Sequence, residues 1–327
     1  MKSNWQQILC VLVLGMMMPV FIFRCGSLFR TQPITTPTEA TQSLHSQPTE
    51  KPSMPDQIPV LVDGEALLMD IDAYLIGVVL AEMPASFEPE ALKAQAVVAR
   101  TFAWKRCEDA DHHSQGAVCT DSNCCQAYVS IQDYLNTLGD QEDVDIITQA
   151  VLDTTGQVLT YQGKLAEATY FSCSGGRTED AAAVWGTEIP YLQAVDSPGE
   201  EWATMFIYRV SFTPAEFSAA LETELSGDPK NWIGEVTRSA GGGVATMEIG
   251  SDWYTGVQLR KLLDLNSTSF TILFKNGNFV ITTKGKGHRV GMSQYGADAM
   301  AVLGSRYQEI LAHYYPGTVI DKMDALE

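Results

Sequence analysis

Ile71-Asp72-Ala73-Tyr74-Leu75-Ile76-Gly77-Val78-Val79-Leu80-Ala81-Glu82-Met83-Pro84 is the stretch on which the reading of this chain turns. Leu75, Val78, Val79 and Glu82 recur at i, i+3, i+4 and i+7, one stripe of an α-helix. A residue before proline disfavours the helical conformation, so Pro84 should end that helix near Met83. Glu82 would then stand at the helix C-terminus, on its inward side. Burial and the negative end of the helix dipole both penalise a carboxylate there and should raise its pKa. A carboxyl that keeps its proton near neutral pH can act as a general acid. The same position also suits a capping or salt-bridged glutamate, with Lys93 or Arg100 as partner, because structural ion pairs perturb pKa values too.

Working outward, a second helix is expected from Pro89 to about Arg106, with the proline suited to its first turn. Its stripe of Leu92, Ala96, Ala99, Phe102 and Ala103 is mostly small, which implies close packing. Ile146 to Thr154 reads as a further helix. Val158–Tyr161 and Leu165–Phe171 read as a hairpin about Gln162-Gly163. A strand over Arg209–Phe212 and an amphipathic helix over Pro214–Leu225 follow. Thr271–Phe274 and Asn278–Thr282 form the clearest hairpin, closed by Asn276-Gly277. Gly291–Leu303 and Tyr307–Tyr314 are helical again. Helices and antiparallel hairpins mixed without regular alternation argue for an α+β fold around a cleft. Residues 207–265 carry the weakest pattern and suit an inserted subregion.

The N-terminal end reads differently. Ile8 to Phe23 is 16 residues without a charge, flanked by Lys2, Arg24 and Arg30. With Trp5 at an interface this suits a membrane anchor over residues 1–30, and no small-residue cleavage site follows it. Thr31 to Pro59, rich in Thr, Gln, Ser and Pro, reads as a disordered tether, leaving residues 60–327 as the folded body. The whole chain has 327 residues, 45% of them hydrophobic, enough for one large core or two modest ones. Its net charge of −19, without a basic cluster, argues against a nucleic-acid partner.

Three further stretches, taken in order, carry a resemblance. The first is Ala81-Glu82-Met83-Pro84 followed by Glu90-Ala91-Leu92-Lys93-Ala94-Gln95-Ala96-Val97-Val98-Ala99-Arg100-Thr101. The second is Tyr170-Phe171-Ser172-Cys173-Ser174-Gly175-Gly176-Arg177-Thr178, continued by Val184-Trp185-Gly186 and Pro190-Tyr191-Leu192. The third is Gly285-Lys286-Gly287-His288-Arg289-Val290-Gly291-Met292-Ser293-Gln294-Tyr295-Gly296-Ala297. Together they resemble the family of stage II sporulation protein D and the related amidase enhancers, over about Val60 to Gly317. The resemblance implies a membrane-anchored lytic transglycosylase that cuts peptidoglycan glycan strands while the mother cell engulfs the forespore. It places the catalytic acid at Glu82 and the body outside the cytoplasm, in the mother-cell membrane around the forespore. It also implies a partner amidase that removes stem peptides first. The alternative it leaves open is a wall-binding enhancer of an amidase without activity of its own.

In the implied reaction, Glu82 protonates the oxygen bridging MurNAc and GlcNAc, then takes the proton of the C6 hydroxyl that closes a 1,6-anhydro ring. No second carboxylate is required, unlike in most glycosidases. Glu88, Glu179 and Asp180 are candidates for one, and solvated surface acids are the plainer reading of each. Strand alternation would put Ser172 and Ser174 on one side, with the backbone N–H groups of Gly175 and Gly176 beside them. A tight turn is the competing reading of that glycine pair. Substrate binding is expected from Gln95, Arg100, Tyr128, Tyr170, Ser172, Ser174, Gly175, Gly176, Trp185, Lys286, His288, Gln294 and Tyr295.

The loop from Asp111 to Tyr128 holds two histidines and three cysteines. His113, Cys119, Cys124 and Cys125 supply four ligands for a structural zinc, with His112 as a possible substitute. Some clostridial members of the resembled family carry zinc in this loop. A disulfide from Cys119 to Cys124 or Cys125, or from Cys107 to a loop cysteine, is the alternative outside the cytoplasm.

Overall fold

A computed structural model describes residues 57–62, 64–108, 113, 118–137 and 139–326. The expected anchor, the expected tether up to residue 56, and His112 lie outside the described residues. Among the described residues no helix is long and apolar enough to cross a membrane. Strand structure already covers Gln57, three residues inside the expected tether: Ile58 and Val60 alternate with Pro59 and are fully buried.

The helices are α1 (Ile71–Glu82), α2 (Pro89–Glu108), α3 (Ile131–Thr137), α4 (Gln141–Leu152), α5 (Ala181–Trp185), α6 (Pro214–Ala220), α7 (Gly256–Leu262), α8 (Gln294–Val302) and α9 (Tyr307–Tyr314). Asp70 caps α1, its carboxylate accepting the Ala73 N–H at 2.9 Å. Met83 ends the helix in an extended conformation, donating its N–H to Val79 O. Tyr74 to Leu80 are buried on every side, so α1 is a central helix and not the one-striped helix expected. The physical reason is in the run itself: an all-round apolar helix must be covered all round. Its neighbours are α2, α3 and α4, while α2 also packs against α8 and α9. The alanines of α2 permit these close approaches.

Short sheets complete the first core. Gln57–Val62 pairs antiparallel with Glu65–Asp70 and parallel with Val118–Cys119. Gln157–Tyr161 lies between Lys164–Leu165 and Val319–Lys322, antiparallel to both. Gln162 and Gly163 close that hairpin with φ of 53° and 75°, as the turn requires. The expected long return strand stops at Leu165. Tyr170–Phe171 separates from it and pairs in parallel with Met292–Ser293. That pairing lays the second sequence stretch against the third.

A second apolar cluster has Phe217, Trp232, Leu259 and Phe279 at its centre, the Phe217 and Phe279 rings stacked at 4.2 Å. Ile207–Phe212 pairs with Asn278–Lys284, the partner of Phe270–Lys275. The connecting Asn276 and Gly277 both take positive φ, 53° and 83°. Ile233–Arg238, Val244–Ile249 and Asp252–Thr255 form a further antiparallel sheet, and α6 and α7 complete the cluster. It therefore extends past residue 265 through Ile281. The architecture is mixed α+β, mainly antiparallel.

Candidate active site

Glu82 ends α1 beside a cavity of about 360 Å³. It is the only carboxylate among the described residues lining that cavity. Its Oε1 accepts the backbone N–H of Ala127 at 3.0 Å, and its Oε2 accepts Gln294 Nε2 at 3.3 Å. Burial pushes its pKa up, against the lowering pull of Ala127, Gln294 and the Tyr170 hydroxyl. Neither Lys93 nor Arg100 reaches it. Lys93 pairs with Glu90 and Asp153, and Arg100 with Asp72. The salt-bridged alternative for Glu82 thus falls.

Behind the acid stands a polar chain. Gln126 donates to the Tyr170 hydroxyl at 2.9 Å and accepts from Tyr74 at 3.2 Å, in a site where Gln126 is only 1% exposed. The hydroxyl of Tyr170 is thereby left to face Glu82. Gln126 was missed in the sequence. A polar residue directly after a cysteine pair carries no spacing signal of its own.

Tyr170, Phe171, Ser172, Lys286, Gly287 and His288 form the opposite wall. The parallel pairing of Tyr170–Phe171 with Met292–Ser293 fixes this wall, and the Tyr295 N–H ties it to Ser172 O at 3.1 Å. Gly287 has φ of 113°, and a Cβ there would lie 2.7 Å from Phe171 Cβ, so only glycine fits. His288 Nδ1 accepts the Val290 N–H at 3.1 Å, which places the imidazole proton on Nε2. Burial and the neighbouring Arg260 cation push its pKa down to about 4, so it is neutral at neutral pH. The half-exposed Trp185 lies beside it, rings 5.5 Å apart.

Other expected residues lie elsewhere. Ser174 turns inward, because the strand ends at Phe171 and alternation does not continue. Its hydroxyl bonds both oxygens of the buried Glu200 at 2.9 Å. Gly175 gives its N–H to Glu200 as well, and a Cβ on it would lie 2.8 Å from Gly285 N. Gly175 and Gly176 are thus turn residues, with φ of 73° and 107°, and only Gly175 packs on backbone. Gln95 is fully buried in α2. Arg100 binds Asp72, Val151 O and Gln157 O at the start of α1, about 15 Å along the helix from Glu82. Tyr128 stacks on Tyr74 at 5.7 Å and packs on Gly77, supporting α1 from outside the cavity. Tyr295 joins Phe87 and Trp202 in an aromatic cluster.

Of the second-carboxylate candidates, Glu179 is no surface acid. It is 1% exposed and paired with Arg289 at 3.2 Å. Glu88 is exposed and Asp180 precedes α5; neither lines the cavity.

His113, Cys119, Cys124 and Cys125 converge, their ligand atoms all within 4.8 Å of one another. His113 Nε2 is 3.4 Å from Cys124 Sγ and 3.5 Å from Cys125 Sγ. Zinc bonds of roughly 2.0–2.3 Å in a tetrahedron space nitrogen and sulfur ligands by about 3.5 Å, so the donor set fits zinc. Cys107 and Cys173 are free thiols.

The family model described as stage II sporulation protein matches residues 65–161. Stage II sporulation protein D of Bacillus amyloliquefaciens is 38% identical over 287 residues, covering 86% of this chain and 83% of that protein. The protein of the same name from Bacillus subtilis (strain 168) is 39% identical over 260 residues, covering 78% and 75%. An amidase enhancer of Bacillus subtilis (strain 168) is 31% identical, covering 75% of this chain and 40% of the enhancer. At this identity and coverage, and with Glu82 and the two glycine-bearing stretches drawn around one cavity, the chain belongs to the stage II sporulation protein D family.

Proposed function

We propose that this protein is a peptidoglycan lytic transglycosylase acting in forespore engulfment, with Glu82 as its acid and base. The observation that carries the reading is a single half-buried carboxyl, its pKa raised by burial, among the described residues lining a cavity walled by hydroxyl, aromatic and basic groups. Protonated Glu82 donates to the oxygen bridging MurNAc and GlcNAc, and the bond from that oxygen to MurNAc C1 breaks. The C6 hydroxyl of the same MurNAc adds to C1, and its proton returns to the Glu82 carboxylate. No water is consumed and the acid is regenerated, so one carboxyl suffices. Gln294 and the Ala127 N–H steady the carboxylate between the two transfers. Neutral His288, Ser172 and Trp185 offer hydrogen bonds and an apolar face to the sugars.

His113, Cys119, Cys124 and Cys125 would hold a structural zinc, whose four protein ligands leave no position for catalysis. The same loop supplies Ala127, whose N–H bonds Glu82, and Gln126, which bonds the Tyr170 hydroxyl. The N-terminal apolar run is proposed as a single membrane anchor, with the body outside the cytoplasm and an amidase as its partner on the wall. Incubating the soluble body with peptide-free glycan strands tests the reaction. The expected products carry 1,6-anhydro ends, one water lighter than hydrolytic ends, and vanish with Glu82→Gln. Absence of product from both proteins, with amidase stimulation by both, would instead favour an enhancer, a reading the likeness to an amidase enhancer motivates.

A further inference from the structure

The cavity beside Glu82 has one lining residue from the second apolar cluster, Arg260 on α7. The same side chain lines an adjoining cavity of about 390 Å³, and the two cavities share Arg260, Lys286 and Gly287. Arg260 Nε donates to Leu265 O at 3.3 Å, which orients the guanidinium. Neither Arg260 nor Lys286 forms an ion pair with a carboxylate among the described residues, in a chain with 40 acidic and 21 basic side chains. Asp264 also lines the adjoining cavity but is exposed and pairs with neither. Arg260 and Lys286 outnumber Glu82, the one carboxylate lining the cavity among the described residues, so the cavity keeps a positive balance even when Glu82 is ionised. Arginine's planar fork matches a carboxylate's two oxygens, and half-burial strengthens the attraction.

We propose that Arg260, with Lys286, forms a carboxylate subsite that takes the free lactyl group of MurNAc and so selects MurNAc-bearing strands over plain GlcNAc chains. This rests on the glycan-cutting reading above. MurNAc differs from GlcNAc only by that ether-linked lactate at O3, on the very sugar whose C1 must meet Glu82. Gripping the lactate sets the register, since MurNAc and GlcNAc alternate and only one of the two linkages can be cut to an anhydro-MurNAc end. The cation comes from α7, so the second cluster contributes specificity to a cavity whose acid comes from the first.

The test uses the body carrying Glu82→Gln, so that bound strands persist. Binding is measured for peptide-free glycan strands, for the same strands with lactyl carboxylates converted to methylamides, and for GlcNAc oligomers. Native strands are expected to bind about 10- to 100-fold more tightly than amidated strands or GlcNAc oligomers, the range of a charge-assisted hydrogen bond. Adding Arg260→Gln should remove that advantage while leaving GlcNAc oligomers within about twofold. Arg260→Lys should restore part of it. Equal binding of native and amidated strands overturns the carboxylate subsite while leaving the glycan reading intact, and needs no second variant to fold. Failure of the parent to bind any strand overturns both.

Discussion

At the residue scale, the decisive quantity is the proton on Glu82. Burial favours its protonated form, so the stability this group contributes is full below the ordinary glutamate value of 4.5 and is lost as pH rises through the elevated folded value. Glu82→Gln should therefore melt with the parent at about pH 4 and above it at neutral pH, a gain that widens with pH. The same change should lower turnover by about 10²- to 10⁴-fold, the span of general acid catalysis. Thermal melts across pH and anhydro-product yield check the two halves separately. Gln294 donates to the carboxylate and so lowers its pKa. Gln294→Leu should shift the alkaline limb of the pH–rate profile upward; an unmoved limb would mean that Gln294 does not stabilise the ionised form.

At the element scale, the loop from Cys119 to Tyr128 reaches Glu82 through Ala127 and braces α1 through Tyr128. A Cβ on Gly77 would lie 2.4 Å from Tyr128 Cε2 and 2.6 Å from Val129 O. Gly77→Ala should cost about 1–3 kcal/mol by overpacking and loosen this loop, read as a lower denaturation midpoint. If zinc pins the loop, chelation should lower melting temperature and turnover together, with one equivalent of metal released; full activity in metal-free protein would sink that link. Elements were legible where local chemistry decides them. Pro84 stopped α1, Asn276-Gly277 closed its hairpin, and the Cys/His spacing foretold the cluster. What sequence hid was long-range. Nothing in Tyr170–Phe171 says that it leaves its hairpin for Met292–Ser293, and the turn of Ser174 toward Glu200 follows from that departure. Arg260 sits on a seven-residue helix with no motif, and only the packing of α7 brings it to the cavity.

At the scale of the whole molecule, two apolar clusters must hold one cleft, and Arg289 is the tie between them. It is 2% exposed and takes φ of 67°, a left-handed conformation costly for a side chain of this size. Its hydrogen bonds over-determine that conformation. Nε donates to Ser174 O at 2.7 Å, Nη1 to Glu179 at 3.2 Å, and Nη2 to Arg177 O at 2.6 Å and Gly241 O at 2.9 Å. Glu179 in turn accepts the Gly243 N–H and the Ser239 hydroxyl, each at 2.8 Å, from the turn joining Ile233–Arg238 to Val244–Ile249. Breaking a buried pair from one side strands the other charge and costs about 3–5 kcal/mol, whereas removing both charges is far cheaper. Arg289→Met alone should therefore destabilise strongly and separate the melting of Trp232, inside the second cluster, from that of the whole. Arg289→Met with Glu179→Gln should recover much of the loss. Equal destabilisation by the single and double changes would show that the backbone bonds of Arg289, and not its partner's charge, join the two clusters.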